Sequence, residues 1–132
     1  MYKGSCLCGE IKFEVNGKIN DIVCCHCSQC RRAQGSAFAT NGNVDVKDFK
    51  FIKGEEFLTK YKNNEQGDKY FCSLCGSPIM SKFHTAPNKI RIRLGTIESD
   101  IQEKISAHIF VNSKANWETI NDEIPKYKNS IE

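Results

Sequence analysis

Short stretches in which polar and apolar residues alternate recur along the chain and predict a mainly β protein. Residues 10–15 place Ile11, Phe13 and Val15 on one face, which is typical of a strand with one buried side. Residues 89–94 repeat this alternation, with three apolar and three basic side chains on opposite faces. Further strands are predicted at residues 21–24, 69–72, 79–83 and 107–111. The fold class expected from this pattern is twisted, mainly antiparallel sheets with one or two short helices.

Three segments have other patterns. Residues 49–61 contain two apolar runs around a charged, glycine-containing centre and predict a β-hairpin. Residues 28–34 have helical character, and Gly35 should end this helix. Residues 116–121 predict one helical turn around Trp117, and we expect this tryptophan to anchor the C-terminal part of the core.

The composition predicts an ordinary globular protein. With 132 residues, the chain is the size of one domain, so we expect a single domain over residues 1–132. No apolar run approaches the roughly 18 residues of a membrane span, and we expect no membrane partner. The N-terminal residues lack the basic stretch and apolar core of a secretory signal, so the expected compartment is the cytoplasm, where thiols stay reduced.

Eight cysteines in three tight groups carry most of the chemistry of this sequence. Four disulfides would be the alternative in a secreted chain. The spacing of the cysteines is that of metal ligands, because several lie only two or three residues apart. Seven of the eight therefore predict two bound metal ions. The groups are Cys6 and Cys8, then Cys25, Cys27 and Cys30, then Cys72 and Cys75.

The first and last groups together predict a closed four-cysteine zinc site. Cys6 and Cys8 are two residues apart, so in an extended segment both side chains point the same way. Cys72 and Cys75 form a C-x-x-C turn followed by Gly76, which tolerates a positive φ. The alternative for Cys72 and Cys75 is a redox pair, but that motif usually opens a helix in a βαβ unit, which this sequence lacks.

The middle group predicts a second zinc site of a different kind. Cys25, Cys27 and Cys30 supply three thiolates, so a tetrahedral ion would keep one position free for water or substrate. Whether that position is free depends on two neighbours. Cys24 and His26 alternate with the ligands, so we expect both to point away, with Cys24 as a small buried residue. If either residue closed the site, the protein would be a scaffold.

Three other residues are candidates for substrate binding. Arg31 and Arg32 follow the third cysteine of the middle group and could bind the carboxylates of an anionic substrate, or remain solvated cations. His108 could move a proton near the second zinc, or simply be a packed histidine in a strand. A nucleic-acid partner is not favoured, since seven thiolates and two Zn²⁺ ions would bring the formal charge of +3 to zero.

These motifs resemble the glutathione-dependent formaldehyde-activating enzyme family, which also contains centromere protein V. Residues 4–15 resemble the opening of that family, and residues 25–32 and 71–78 match its second and third motifs. Its C-terminal pattern fits at Gly95, Thr96, His108, Ile109, Phe110, Val111 and Trp117. The resemblance covers nearly the whole chain.

The resemblance implies a β-tent fold and two zinc ions per chain. It implies that Cys6, Cys8, Cys72 and Cys75 hold a structural zinc, and that Cys25, Cys27 and Cys30 hold a catalytic one. The implied activity is that of a carbon–sulfur lyase, which joins formaldehyde to the thiol of glutathione or reverses that reaction. The alternative from another class is a non-catalytic, zinc-stabilised binding module for a protein or nucleic acid.

Overall fold

Alternating apolar residues form two β-sheets, as the computed structural model shows for residues 1–131. The strands are β1 (Tyr2–Ser5), β2 (Lys12–Val15), β3 (Asn20–Cys25), β4 (Ala39–Asp45), β5 (Phe49–Lys53), β6 (Leu58–Asn64), β7 (Gly67–Cys72), β8 (Pro78–Phe83), β9 (Lys89–Arg93) and β10 (Ala107–Ile109). Four short 3₁₀ turns connect some of them, at Val46–Asp48, Glu55–Phe57, Leu94–Thr96 and Val111–Ser113. The prediction of a mainly β protein is confirmed.

The smaller sheet has the strand order β1-β2-β5, and the larger one has the order β10-β3-β4-β9-β8-β7-β6. All neighbouring strands are antiparallel except β10 and β3, which pair in parallel with His108 opposite Cys24. The C-terminal segment extends this edge, since His108 N–H donates to the Pro125 carbonyl and Tyr127 N–H donates to the His108 carbonyl.

The main core lies between the two sheets. Ile11 and the inward-facing side of β2, Phe13 and Val15, are almost fully buried, as the alternation predicted. The ring of Phe13 stacks on that of Phe49 of β5, with centroids 5.1 Å apart. Apolar residues from the larger sheet complete this core, among them Ile22, Val44, Ile79, Ile90 and Ile92.

One α-helix, α1 (Ser28–Gln34), follows β3, and its bounds confirm the prediction. Cys27 is the N-cap residue, and its sulfur accepts a hydrogen bond from the Cys30 N–H. Gly35 ends the helix in the left-handed conformation with φ 63°. Within residues 1–131, no helix has the length and apolar character needed to cross a membrane.

Two predictions are wrong. The segment 49–61 is not a hairpin, because β5 pairs with β2 in one sheet while β6 pairs with β7 in the other. Gly54, with φ 81°, turns the chain between the sheets. Residues 116–121 form no helix, and Trp117 is 67 % exposed. Although Trp117 and Ile120 have helical spacing, the chain makes only one turn here, with the Glu118 N–H donating to the Ala115 carbonyl, and Ala115 packs inward instead.

The crossing at Gly54 leads to a stability prediction. A Cβ at position 54 would overlap the backbone carbonyl of Glu10, whereas a Cβ at Gly35 meets nothing, although both glycines have positive φ. We expect Gly35→Ala to lower the free energy of unfolding by about 1 kcal/mol, which is the cost of the left-handed backbone. Gly54→Ala should cost at least about 2 kcal/mol more, because the backbone must move. Urea unfolding of both variants measures the difference, and equal losses would contradict the steric account.

Candidate metal centres

Four cysteines from distant parts of the chain meet beside the junction of the two sheets. Cys6 and Cys8 follow β1, Cys72 ends β7, and Cys75 lies in the turn before β8. Their sulfur atoms all lie within 4.8 Å of one another, with 3.5 Å between Cys6 and Cys8 and 3.9 Å between Cys8 and Cys72. Zn–S bonds of about 2.3 Å place tetrahedral sulfur atoms about 3.8 Å apart. This cluster therefore fits a tetrahedral zinc ion.

Backbone hydrogen bonds hold the four-cysteine cluster in shape. The Cys6 sulfur accepts from the Ile11 N–H at 3.3 Å, and the Gly76 N–H donates to the Cys72 carbonyl at 2.8 Å. Ser77 connects the two halves, because its hydroxyl accepts from the Leu7 N–H. Hydrogen bonding with Ser77 also lowers the pKa of Cys75 to about 5, which favours the thiolate that a metal requires.

Three cysteines form a second cluster where β3 leads into α1. Cys25 is the last residue of β3, Cys27 is the N-cap, and Cys30 lies in the first helical turn. Their sulfur atoms also lie within 4.8 Å of one another. Within residues 1–131, no fourth cysteine, histidine or carboxylate belongs to this group. We call these three residues the cysteine triad.

The closeness of the three triad sulfur atoms shifts the pKa values of Cys27 and Cys25 in opposite directions. Hydrogen bonding with Cys25 and Cys30 lowers the pKa of Cys27 to about 2, while hydrogen bonding with Cys27 raises the pKa of Cys25 well above its usual value. One thiolate is thus stabilised by two neighbouring thiols. A metal ion fits this arrangement, because it would replace the shared protons with a single positive centre.

Neither residue that could have closed the triad belongs to it. His26 places its Nε2 2.9 Å from His108 Nδ1, and Cys24 lies beside the Thr40 hydroxyl. The pleat explains this, since alternate residues of a strand point to opposite faces. The prediction that both side chains point away from the triad is confirmed. All eight cysteines are free thiols, so the disulfide alternative is not supported.

The triad opens on a narrow pocket of 150 Å³, next to a wider one of 450 Å³. Gln29, Asn63, Lys69 and Arg93 line both pockets. The Asn63 amide donates to the Gln29 side chain at 2.8 Å, which joins α1 to the end of β6. The triad is therefore accessible from a cleft between the helix and the larger sheet.

Two cations, Lys69 and Arg93, line both pockets, while Lys82, Arg91 and the buried Asp68 line only the narrow one. Arg93 is only 3 % exposed, and it donates to the Ser81 hydroxyl at 3.3 Å. Its Nε has no hydrogen-bond partner within residues 1–131, and neither Arg93 nor Lys69 forms an ion pair there. Burial lowers the pKa of both groups, whereas the nearby triad thiolates raise it. The triad is thus the anionic group that these cations face.

The structure separates the three substrate-binding candidates. Arg32 lines the wider pocket, whereas Arg31 lines neither pocket that adjoins the triad. His108 lies opposite Cys24 in the strand pairing, so its ring is on the face of the sheet away from the triad. It hydrogen-bonds His26 and Asp122. Of the three candidates, only Arg32 lies beside the cleft.

Sequence reasoning missed Lys69 and Arg93. A signal for Arg93 was present, because the alternation in residues 89–94 already placed Arg91 and Arg93 on one face. The alternation does not show which other elements cover the basic face. Only the pairing of Arg93 with Asn41 on β4 shows that it lies in the interior next to the triad.

The fold and the two clusters define a class: a mainly β protein with one four-thiol and one three-thiol candidate metal centre. A family model described as glutathione-dependent formaldehyde-activating enzyme matches residues 1–113, and the chain belongs to this family. A crystal structure of a Rhodobacter sphaeroides protein is similar, with 28 % identity and a TM-score of 0.64 over 76 % of this chain and 91 % of that one. No curated protein matches. The resemblance seen in the sequence is confirmed.

Substitutions at the two clusters should have different consequences. Cys72→Ser should lower metal content by one ion and destabilise the fold by several kcal/mol, since binding free energy at a site joining distant segments is folding free energy. Cys27→Ser should also lose one ion but leave a folded protein, because serine keeps the N-cap. Metal analysis and thermal unfolding measure both effects. Global unfolding of Cys27→Ser would show that both clusters are structural.

The clusters should also release metal at different pH values. Protons compete with metal for thiolates, so affinity falls as pH falls. Each cluster must expel a proton from a cysteine of raised pKa, Cys25 in the triad and Cys8 in the four-cysteine cluster, but the triad has one ligand fewer to hold the ion. We expect it to release Zn²⁺ at a higher pH than the four-cysteine cluster. A chromogenic chelator can follow release from pH 8 to pH 5, with Cys27→Ser assigning the first step. Earlier release from the four-cysteine cluster would contradict this order.

Proposed function

We propose that this protein is a zinc-dependent enzyme of the carbon–sulfur lyase class that acts on glutathione or a related thiol and a small aldehyde such as formaldehyde. The observation that carries the proposal is the triad: three convergent thiols that open on a cleft lined by Lys69 and Arg93. Membership of the glutathione-dependent formaldehyde-activating family supports the substrate class.

A zinc ion suits the triad because thiolate sulfur is a preferred ligand of zinc and the three sulfur atoms are already close together. Zinc at this position would keep a fourth coordination place for the substrate sulfur and lower the pKa of its thiol. The four-cysteine cluster would hold the second ion of the chain as a structural centre.

Lys69 and Arg93 supply the charge that a bound thiolate needs. Three thiolates and one Zn²⁺ ion carry a net charge of −1, and a substrate thiolate would make it −2. Arg93, which is buried, and Lys69, which is half-buried, balance this charge where electrostatic interactions are stronger than in water. They therefore favour binding of the thiol in its anionic, nucleophilic form.

The reaction balances without a redox partner. A carbon–sulfur bond forms between the thiol sulfur and the carbonyl carbon, and the proton lost by the thiol is found on the former carbonyl oxygen. The reverse reaction breaks the same bond and returns the aldehyde and the thiol. The chain's own contribution is to bind the thiol, exclude part of the surrounding water and stabilise negative charge.

The wider pocket offers room for the remainder of the thiol substrate. Its volume of 450 Å³ lies within the range typical of small-molecule sites. Arg32 at its edge could bind a carboxylate with two parallel hydrogen bonds, and Tyr61 and Tyr70 provide apolar surface. His108 has no part in substrate binding in this proposal, since it lies on the other face of the sheet.

Closure of the triad by Cys24 or His26 would favour a non-catalytic binding module. Both side chains lie outside the cluster, so the enzyme is the function we propose. Eight free thiols suit the cytoplasm, where thiols are kept reduced, and we propose that compartment.

The activity can be tested directly. Exchange spectroscopy by NMR measures how fast glutathione and formaldehyde interconvert with their adduct. We expect the zinc-loaded protein to accelerate this exchange and Cys27→Ser to abolish the acceleration. Unchanged exchange with wild-type protein carrying two zinc ions would refute the proposal.

A matched pair of variants tests whether the charge of Lys69 favours binding of the thiol. Lys69→Met should raise KM for the thiol about tenfold, equivalent to about 1.4 kcal/mol, because it removes a cation beside the bound sulfur. Lys60→Met removes the same charge from an exposed position on β6 and should behave like wild type. Equal effects of the two substitutions would show that only net charge matters.

A further inference from the structure

A hydrogen-bonded series of three polar side chains lies behind the triad, on the opposite face of the larger sheet. It runs from His26 through His108 to Asp122. His26 Nε2 lies 2.9 Å from His108 Nδ1, and His108 Nε2 lies 2.9 Å from an Asp122 carboxylate oxygen. His26 is fully buried and His108 is 5 % exposed, whereas Asp122 is at the surface. This hydrogen-bonded series connects the protein surface to His26, which lies between two triad cysteines in the sequence.

His108 is the polar contact of the His26 ring. The other ring nitrogen of His26, Nδ1, has no hydrogen-bond partner within residues 1–131. The Phe38 ring packs against the His26 ring, with a centroid distance of 4.9 Å and an interplanar angle of 48°. Because buried polar groups are normally hydrogen-bonded, the bond to His108 determines where this ring sits.

Asp122 orients His108 in turn. A carboxylate only accepts hydrogen bonds, so His108 Nε2 donates to Asp122, and neutral His108 then accepts from His26 at Nδ1. Asp122 is itself fixed, since its second oxygen accepts from the Ile124 N–H at 3.1 Å and from Lys126 Nζ at 3.2 Å. The donor and the acceptor in both hydrogen bonds of this series therefore follow from the Asp122 carboxylate.

The fixed orientation of His26 affects the triad through the backbone. Its neighbours in sequence are Cys25 and Cys27, and its own N–H donates to the Ile109 carbonyl at 3.0 Å. A rotation of the His26 backbone would turn both neighbouring side chains and separate their sulfur atoms. The ring and the N–H together anchor this residue at two points on β10.

We propose that His108 is a positioning residue which, oriented by Asp122, fixes the ring of His26 and so holds Cys25 and Cys27 in their metal-binding arrangement. The inference rests on the proposed function only in that the triad binds a metal ion. Outer partners of metal sites commonly change metal affinity by 10- to 100-fold, although most act on a ligand directly. Here the effect passes through a residue that lies between two ligands.

The test compares zinc affinity at the two clusters of the same protein. Zinc-loaded protein is titrated with a chelator, and the exposed thiols are alkylated and located by mass spectrometry. We expect His108→Phe, which keeps a ring but removes both nitrogens, and Asp122→Ala to weaken zinc binding at the triad at least tenfold. The four-cysteine cluster should retain its affinity and serve as the internal reference.

Two further variants separate positioning from charge and stability. Asp122→Asn should recover most of the triad affinity, because its amide oxygen can still accept from His108. Glu123→Ala removes the same charge from the next residue, which is exposed, and should match wild type. If His108→Phe does not fold, the surface variant Asp122→Ala decides the question.

Each result bears on one conclusion. Unchanged triad affinity in Asp122→Ala, or equal weakening of both clusters, would overturn the positioning role. So would equal weakening of the triad by Asp122→Ala and Glu123→Ala. Wild-type protein that binds zinc at the four-cysteine cluster but not at the triad would overturn the proposed function together with this inference.

Discussion

The two sheets are connected at the four sulfur atoms of Cys6, Cys8, Cys72 and Cys75, and the rest of the molecule depends on this junction. One pair follows the first strand of the small sheet, and the other belongs to the β7–β8 turn of the large sheet. Shared metal ligation would close a loop of more than sixty residues, which is costly in chain entropy unless strong bonds compensate. The strand β7, which ends at Cys72 in this junction, also carries Lys69, which lines the cleft.

The pleat of β3 divides the large sheet into two functional faces. Cys25 points to the face that carries Arg93 and Lys69, while Cys24 points to the opposite face, next to His108. One face thus presents thiols and cations to a cleft. On the other face, His108 hydrogen-bonds His26 and Phe38 packs against it, so this face supports the segment that carries the triad. A shift in register by one residue would exchange these faces, so strand pairing is a condition for the site as well as for the core.

Patterns within a few consecutive residues correctly predicted the features of the fold and site that depend only on local structure. Cysteine spacing, the alternation around Phe13 and the helix ending at Gly35 are all properties of a few consecutive residues, and all agree with the structure. The hairpin at 49–61 failed because strand partners are chosen over long distances: β2 offered Phe13 as a stacking partner for Phe49. Arg93 was missed for the same reason, since its burial depends on β4 and α1, which no pattern in β9 reveals.

The placement of Arg93 and Lys69 follows from the charge of the triad. A buried guanidinium without a carboxylate partner is costly, and the free energy is recovered only if an anion is near. Three thiolates alone would exceed the two cations by one negative charge, whereas with one Zn²⁺ ion the assembly has a net charge of +1. A thiolate substrate makes the sum zero. Counting only the two cations that line both pockets, the charges balance when metal and substrate thiolate are bound together, which is the arrangement that the proposed chemistry requires.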